Sequence, residues 1–157
     1  MATYYLDTSA VVKCYVREKG TGWVLSLTVR PVPSRPPDEF VTALITVAEG
    51  GAALAKRQRM GEITAVEQKI LFKRLLADSK GQYSLLPVDE PTVERAAGLT
   101  QRHPLRGYDA VHLATALILR DTLVTARLSA PIFVCADANL CTVARAEGLA
   151  AENPNDH

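Results

Sequence analysis

Four acidic residues stand out in this chain because of the residues around them. Asp7 and Asp137 each follow a short apolar run, whereas Glu49 and Asp109 are isolated charges in helical segments of apolar and small residues. Such carboxylates are costly to bury unless they are paired or bind a cation. A cluster of oxygen ligands suits Mg²⁺ or Mn²⁺, and phosphoryl transfer is the chemistry that such a cluster supports best.

Each acid also has a simpler structural interpretation. Asp7 could cap a helix that begins at Thr8 or Ser9. Asp109 could be a first-turn acid favoured by the helix dipole, and Glu49 could pair with a buried arginine. These alternatives remain open for each residue alone. They weaken together, because four acids would have to be placed in this way independently.

The apolar pattern predicts strands that alternate with helices. Strands are expected at residues 4–6, 39–42, 83–88 and 131–136, with a possible edge strand from 149 onward. Helices are expected at 9–17, from 20, 43–59, 64–81, 89–99, 108–119 and 138–147, with a short helical excursion at 122–130. The proline-rich residues 31–37 predict a loop. The two glycines after Glu49 suggest that a chain segment or ligand approaches closely there.

This alternation is typical of an α/β protein with a parallel sheet covered on both faces. Asp7 and Asp137 would then lie at the carboxyl edge of the sheet, where open α/β sheets bind ligands. Repeats, low-complexity segments and long linkers are absent from the sequence. We therefore expect one domain over residues 1–157.

Composition adds limits to this prediction. The chain has 157 residues, of which 48% are hydrophobic, and a formal net charge of +1. This charge neither requires nor excludes a nucleic-acid partner. No apolar run is long enough for a membrane span and no signal peptide is evident. The three cysteines are therefore expected to be reduced and buried in a cytoplasmic protein, and their spacing does not favour zinc.

Four stretches in register carry a family resemblance. They are the opening LDTSA at residues 6–10, Glu49 on a helix ending in LAKR, the LRGYDAVHLA stretch at 105–114 and the ADANL stretch at 136–140. Together they resemble a PIN domain, and more narrowly the VapC-type toxins of bacterial toxin–antitoxin pairs. The likeness covers nearly the whole chain.

The resemblance implies a three-layer α/β/α sandwich with a mostly parallel sheet of about five strands. It also implies an endoribonuclease that cleaves RNA with a metal-activated water. The acids matching Asp7, Glu49, Asp109 and Asp137 would bind Mg²⁺ or Mn²⁺, and Thr8 would support the site. A homodimer and a cognate antitoxin are expected partners. Asn139 stands where some relatives have a further acid, which puts a second metal in doubt.

Several other residues are candidates for minor roles. Ser9 is more simply a helix cap than a nucleophile. His112 lies three residues after Asp109 on the same helix face; it could be a proton shuttle, although a histidine tolerated in the core explains it more simply. Basic residues could contact RNA phosphates if they rim the acidic groove; these include Lys13, Arg57 and Arg106.

Two alternative functions remain at this stage. A phosphoaspartate enzyme or receiver-type domain would use Asp7 or Asp137 as nucleophile or phosphoacceptor. Ser9, however, stands where a phosphatase of the haloacid dehalogenase type needs a second aspartate, and the acid pair and late lysine of a receiver are not evident. The other alternative is a catalytically silent binding module of the same fold.

Overall fold

A five-stranded parallel sheet forms the centre of the molecule. The computed structural model describes residues 1–28 and 37–157. The strands are β1 (Thr3–Leu6), β2 (Glu39–Ala43), β3 (Ser84–Leu86), β4 (Ile132–Val134) and β5 (Ala150–Glu152). Their order is β3-β2-β1-β4-β5, and every neighbouring pair is parallel. The predicted α/β class and the parallel five-stranded sheet are confirmed.

Helices connect the strands and cover both faces of the sheet. They are α1 (Thr8–Val12), α2 (Thr21–Thr28), α3 (Thr46–Arg59), α4 (Ala65–Gly81), α5 (Glu90–Arg102), α6 (Gly107–Thr125) and α7 (Ala138–Ala146). A 3₁₀ turn at Pro154–Asp156 follows β5. Among the helices described, none combines the length and apolarity that a membrane crossing requires.

Three helix predictions were wrong in extent. The helix predicted from residue 43 begins at Thr46, because Ala43 still pairs with Leu86 as the last residue of β2. The first helix ends at Val12 and not at residue 17. The ammonium group of its C-cap, Lys13, donates a hydrogen bond to the carbonyl of Lys19 at 2.7 Å. The helix predicted at 108–119 continues to Thr125 and therefore includes the start of the excursion predicted at 122–130. Charged residues on its last turns form ion pairs at the surface. Of the predicted loop at 31–37, all but the last residue lies outside the described residues.

Alternating strand residues divide the core between the two faces of the sheet. Tyr5 and Phe133 belong to the cluster packed under α5, α6 and α7. Leu6 and Val134, the next residues along the same strands, belong to the cluster under α1, α3 and α4. Successive side chains of a strand point to opposite faces, so the sheet is buried on both sides and the sandwich has three layers.

Strand order brings the carboxyl ends of β1 and β4 side by side. Leu6 is in register with Val134, and the amide of Asp7 donates to the carbonyl of Val134 at 3.0 Å. Helices α1 and α7 begin just beyond these two strands, and their N-caps are Asp7 and Asp137. Both predicted acids therefore lie at the same edge of the sheet.

The two glycines after Glu49 allow α4 to pack closely on α3. A Cβ atom at Gly50 would lie 2.9 Å from Cδ2 of Leu75, and one at Gly51 would lie 3.0 Å from Cε2 of Phe72. The close approach predicted from the sequence thus comes from a chain segment. Leu75 is only 2% exposed and has little room to move, so Gly50 is the more restrictive of the two positions.

We predict that Gly50→Leu lowers the free energy of unfolding by about 1–3 kcal/mol, the usual cost of overpacking a core. The matched control is Gly22→Leu on α2, where a Cβ atom would meet nothing within 4 Å. That change should raise stability by roughly 0.5–1 kcal/mol through helix propensity. Urea denaturation measures both, and equal effects at the two positions would contradict the packing argument.

Candidate active site

Asp7 is the most deeply buried of the four acids. The residue is 6% exposed at the end of the central strand. Its Oδ1 accepts the backbone N–H of Ala10 at 3.0 Å, as an N-cap should, and the hydroxyl of Ser9 at 2.6 Å. Burial raises the pKa of the Asp7 carboxyl, although the nearby His112 and these hydrogen bonds act in the opposite direction. Folding with an ionised Asp7 therefore costs free energy.

Ser9 does not start the helix, contrary to the prediction. Asp7 is the N-cap, and Ser9 instead joins the ends of two strands. Its hydroxyl donates to Asp7 and accepts the backbone N–H of Ala136 at 2.9 Å, and it lies 3.9 Å from Sγ of Cys135. A short polar side chain two residues after the carboxylate thus fixes the geometry between β1 and β4.

Glu49 pairs with a histidine rather than with a buried arginine. It lies in the first turn of α3 with a side chain that is 27% exposed. Its Oε1 is 2.8 Å from Nε2 of His112 on α6. The isolated glutamate of the sequence therefore has a partner inside the protein and still reaches solvent.

His112 contacts three residues of the site region. The residue is 2% exposed, so its burial agrees with the expectation of a core histidine. Nε2 also lies 3.1 Å from Oγ1 of Thr8, and Nδ1 lies 3.0 Å from the hydroxyl of Tyr5. The ring thereby joins α1, α3 and α6 near the carboxyl edge of the sheet.

The two remaining acids begin helices. Asp109 lies in the first turn of α6, and its Oδ2 accepts from Nε of Arg106 at 3.1 Å. Asp137 caps α7 by accepting the backbone N–H of Leu140 at 3.0 Å. Asn139 is exposed in the first turn of the same helix. Both acids therefore make the local contacts that a purely structural role would require.

A cleft of about 710 Å³ opens beside Thr8, Ser9 and Glu49. Basic side chains line it as expected; they are Lys56, Arg57 and Arg106. Arg57 forms ion pairs with Glu18 and Glu62, which also line the cleft.

Lys13 does not fit the predicted contact with RNA. Its side chain is 4% exposed, and its ammonium group lies 2.8 Å from Oε1 of Glu18. The same group donates to the carbonyl of Lys19. Lys13 therefore joins the loop after α1 to the carboxylate that also pairs with Arg57, and it does not face the cleft as a free cation.

The donor chemistry of the site fits Mg²⁺ or Mn²⁺, because the four acids offer carboxylate oxygens alone. The cost of the buried Asp7 charge also favours a cation nearby. Within residues 1–28 and 37–157, however, no three side chains from His, Cys, Asp and Glu are arranged to hold a metal ion. Glu49 and Asp109 are instead turned towards His112 and Arg106. Their direct convergence on one ion stays a prediction.

Sequence reasoning missed several residues that support the site. Tyr5, Thr42 and Thr46 are buried polar residues in or next to apolar strands, and Cys135 receives the backbone N–H of Asp137 at 3.3 Å. A hydroxyl in a buried strand is a usable signal, since buried polar groups need partners. All three cysteines are free thiols; Cys135 and Cys141 are buried as predicted, whereas the prediction was wrong for Cys14, which is only partly buried.

Comparison with known proteins identifies the class. The family model described as "PIN domain" matches residues 4–127. The chain belongs to the PIN domain family.

More specific similarities point to one branch of that family. The chain is 34% identical over 155 residues to "Ribonuclease VapC45" of Mycobacterium tuberculosis (strain CDC 1551 / Oshkosh), covering 94% of this chain and 98% of the relative. The predicted VapC-type resemblance is thus confirmed.

Two solved structures share the fold. One is a toxin–antitoxin complex from Klebsiella pneumoniae, with a TM-score of 0.57 and 16% identity over 96% of this chain and 97% of that one. The other is VapBC2 from Rickettsia felis bound to a DNA fragment from their promoter, with a TM-score of 0.59 and 13% identity over 96% and 98%. These similarities confirm the PIN-like α/β architecture.

We predict that Asp7→Asn stabilises the metal-free protein at neutral pH. The folded-state pKa of Asp7 is raised, so ionisation above the usual aspartate value of about 3.9 favours the unfolded chain. Stability is therefore lost as the pH rises through this region, and an asparagine, which still caps α1, avoids the loss. The advantage over wild type should disappear as the pH falls towards that value. Denaturation in EDTA at several pH values measures it.

Asp89→Asn on α5 is the matched control, because Asp89 is also an N-cap but is exposed. Hydrogen bonds from Thr92 lower the pKa of Asp89. Its replacement should therefore reduce stability at neutral pH. If both variants changed stability in the same direction, the burial of Asp7 would not be the cause.

Proposed function

We propose that this protein is a Mg²⁺- or Mn²⁺-dependent endoribonuclease of the VapC toxin type. The observation that carries the proposal is that Asp7 lies buried at the carboxyl edge of the sheet, while Glu49 lines a cleft together with basic side chains. A relative of nearly the same length is named a ribonuclease. Metal-assisted phosphodiester hydrolysis needs carboxylates that bind a divalent metal ion and, beside them, basic side chains that bind the polyanionic substrate.

Four residues would hold the cation: Asp7, Glu49, Asp109 and Asp137. When bound, Mg²⁺ or Mn²⁺ would supply an activated water and neutralise charge on the phosphate. Ser9 and the N–H of Ala10 orient the Asp7 carboxylate from one side. Thr8 lies within hydrogen-bond distance of the imidazole that holds Glu49, which gives the residue expected to support the site a specific partner.

Arg106 and Arg57 are suited to different tasks at the cleft. The Arg106 side chain is 85% exposed and pairs with Asp109 in a surface contact, so it can turn to a phosphate at little cost. Arg57 is 27% exposed and is held by two carboxylates. We assign phosphate binding first to Arg106, and to Arg57 the task of holding Glu18 and Glu62 at the wall of the cleft.

A cognate antitoxin and a second copy of the chain are the proposed protein partners. Similarly folded proteins were solved as toxin–antitoxin assemblies. Two apolar grooves support the proposal. One lies between α3 and α4 and includes Leu44 and Phe72, and the other lies between α5 and α6 and includes Val93 and Tyr108.

The alternatives now have less support. A phosphoaspartate enzyme that used Asp7 would need its carboxylate exposed to the substrate, but this residue is buried and bound to Ser9. The same argument does not apply to Asp137, which is only partly buried. A silent binding module would not need the partly exposed carboxylates of Glu49 and Asp109, which are 27% and 26% exposed.

We predict that the purified protein cleaves RNA when Mg²⁺ or Mn²⁺ is added and not in EDTA. Glu49→Gln should lower the rate by at least about 100-fold, the scale on which loss of one group stabilising charge in the transition state usually acts. The amide keeps a hydrogen-bond acceptor for His112 while it removes the charge. Single-turnover cleavage of end-labelled RNA measures the rate.

Glu94→Gln, at an exposed position on α5, is the control for a general effect of charge. It should cleave as the wild type does. Cleavage that persists in EDTA, or in the Glu49→Gln protein, would refute the proposed metal-dependent site.

We further predict that expression of the wild-type chain arrests bacterial growth and that Glu49→Gln does not. Co-expression of a short neighbouring reading frame encoding the antitoxin should restore growth, because the antitoxin would block the cleft. Growth curves and co-purification measure these effects. Equal arrest by the Glu49→Gln chain would mean that toxicity does not come from this site.

A further inference from the structure

The imidazole of His112 connects the elements that carry three of the predicted site residues. Nε2 lies 2.8 Å from Oε1 of Glu49 on α3 and 3.1 Å from Oγ1 of Thr8 on α1. His112 lies on α6, one turn after Asp109, and Nδ1 is 3.0 Å from the hydroxyl of Tyr5. Because the ring is nearly inaccessible to solvent, its orientation is set by these protein contacts.

A chain of threonine hydroxyls fixes the direction of these hydrogen bonds. Thr42 Oγ1 donates to the carbonyl of Leu6 at 2.6 Å, and a carbonyl can only accept. The hydrogen of Thr42 is therefore used, so Thr46 donates to Thr42 across 2.7 Å. Thr8 donates to Thr46 through a longer contact of 3.5 Å. The oxygen of Thr8 is then left to accept from Nε2 of His112.

Glu49 leads to the same assignment independently. An ionised carboxylate accepts hydrogen bonds and donates none, so the atom facing Oε1 of Glu49 must carry a hydrogen. On the other side of the ring, the hydroxyl of Tyr5 lies 3.0 Å from Nδ1, and a tyrosine hydroxyl has a hydrogen that it can donate there. The ring nitrogen that is protonated in a neutral histidine is set by the hydrogen bond at the other nitrogen.

We propose that His112 is the positioning residue of the acidic centre, whose Nε2–H holds Glu49 and Thr8 in place while Tyr5 fixes the ring from Nδ1. With Oε1 engaged by the imidazole, the second oxygen of Glu49 is the one offered to a cation. The inference rests on the proposed function, because it assigns a task to His112 within that site. Neither proton shuttling nor direct contact with RNA is required of this residue.

The network also sets the separation between the acids. It begins at the carbonyl of Leu6, the residue before Asp7, and ends at the carboxylate of Glu49. The two acids belong to different elements, so side-chain contacts between those elements must fix their distance. Residues that orient the ligands of a metal typically change metal affinity or activity by about 10- to 100-fold when mutated.

The test is Mn²⁺ binding to metal-free protein by isothermal titration calorimetry. We expect His112→Leu to raise the dissociation constant of Mn²⁺ by about 10- to 100-fold. His112→Gln keeps an N–H donor for Glu49 and should recover most of the affinity. His103→Leu is the matched control: this histidine also contacts a glutamate, with 2.6 Å between Nε2 and Oε1 of Glu147, but belongs to a different cluster. That variant should bind Mn²⁺ as the wild type does.

Glu49→Gln separates a failure of this inference from a failure of the proposed function. If Glu49→Gln weakens Mn²⁺ binding and folded His112→Leu does not, the positioning role is refuted while the metal site stands. If neither change affects binding, the metal site itself is wrong. Affinity lost equally in His112→Leu and His112→Gln would also refute the positioning role, because the retained donor should rescue it.

A second measurement needs no variant and applies even if His112→Leu fails to fold. Nitrogen-15 NMR of the wild-type imidazole at pH 8 reports which ring nitrogen carries hydrogen. We expect a hydrogen on Nε2 of His112 and none on Nδ1. A hydrogen on Nδ1, alone or together with Nε2, would overturn the proposed network.

Discussion

The placement of a carboxylate at the end of the central strand is the constraint on which the site depends. β1 has a parallel neighbour on each side, so Asp7 emerges where two covered faces and two strand ends meet. Water is largely excluded there, and the charge must be stabilised by hydrogen bonds, by a histidine or by a cation. Ser9 and the first turn of α1 supply part of that stabilisation. Asp7, whose burial costs free energy of folding, therefore lies at the edge where α/β sheets bind ligands.

Glu49 is held by a different means, because its helix lies outside the sheet. Packing of α3 against α4 is tight at Gly50, where Leu75 occupies the space of a side chain. The backbone of α3 at Gly50 is thus fixed by apolar contact, and the side chain of the adjacent Glu49 is fixed by the imidazole of His112. Apolar packing sets the position of the backbone, and polar contacts set the direction of the side chain. Both are needed for a site assembled from separate elements.

The sequence was informative wherever a pattern had one physical cause. Alternating apolar runs predicted the parallel sheet, and Asp7 and Asp137 were correctly placed at its carboxyl edge. Tertiary contacts decided the features that were mispredicted. The first helix stops early where Lys13 turns inward, and Ser9 bonds across to Ala136 instead of capping.

Partners distant in the chain could not be deduced from one sequence. Glu49 and His112 are 63 residues apart, and Tyr5 and His112 are 107 apart. Spacing along a helix predicted only which face His112 shares with Asp109. Identifying its partners required the order of the strands and the placement of Glu49 on α3 relative to α6. The burial of Lys13 could not be deduced for the same reason. In the sequence, a buried lysine on a short helix cannot be distinguished from one that is exposed to solvent.

The double use of two aspartates affects how related chains should be compared. Asp7 and Asp137 each cap a helix, so a descendant that had lost its chemistry would still be selected to keep a capping residue there for folding alone. Glu49 caps nothing, because α3 begins after Ile45. If Glu49 holds the cation as proposed, retention of a glutamate at this position is the more discriminating sign of activity, and its loss would indicate a pseudoenzyme even where both aspartates remain.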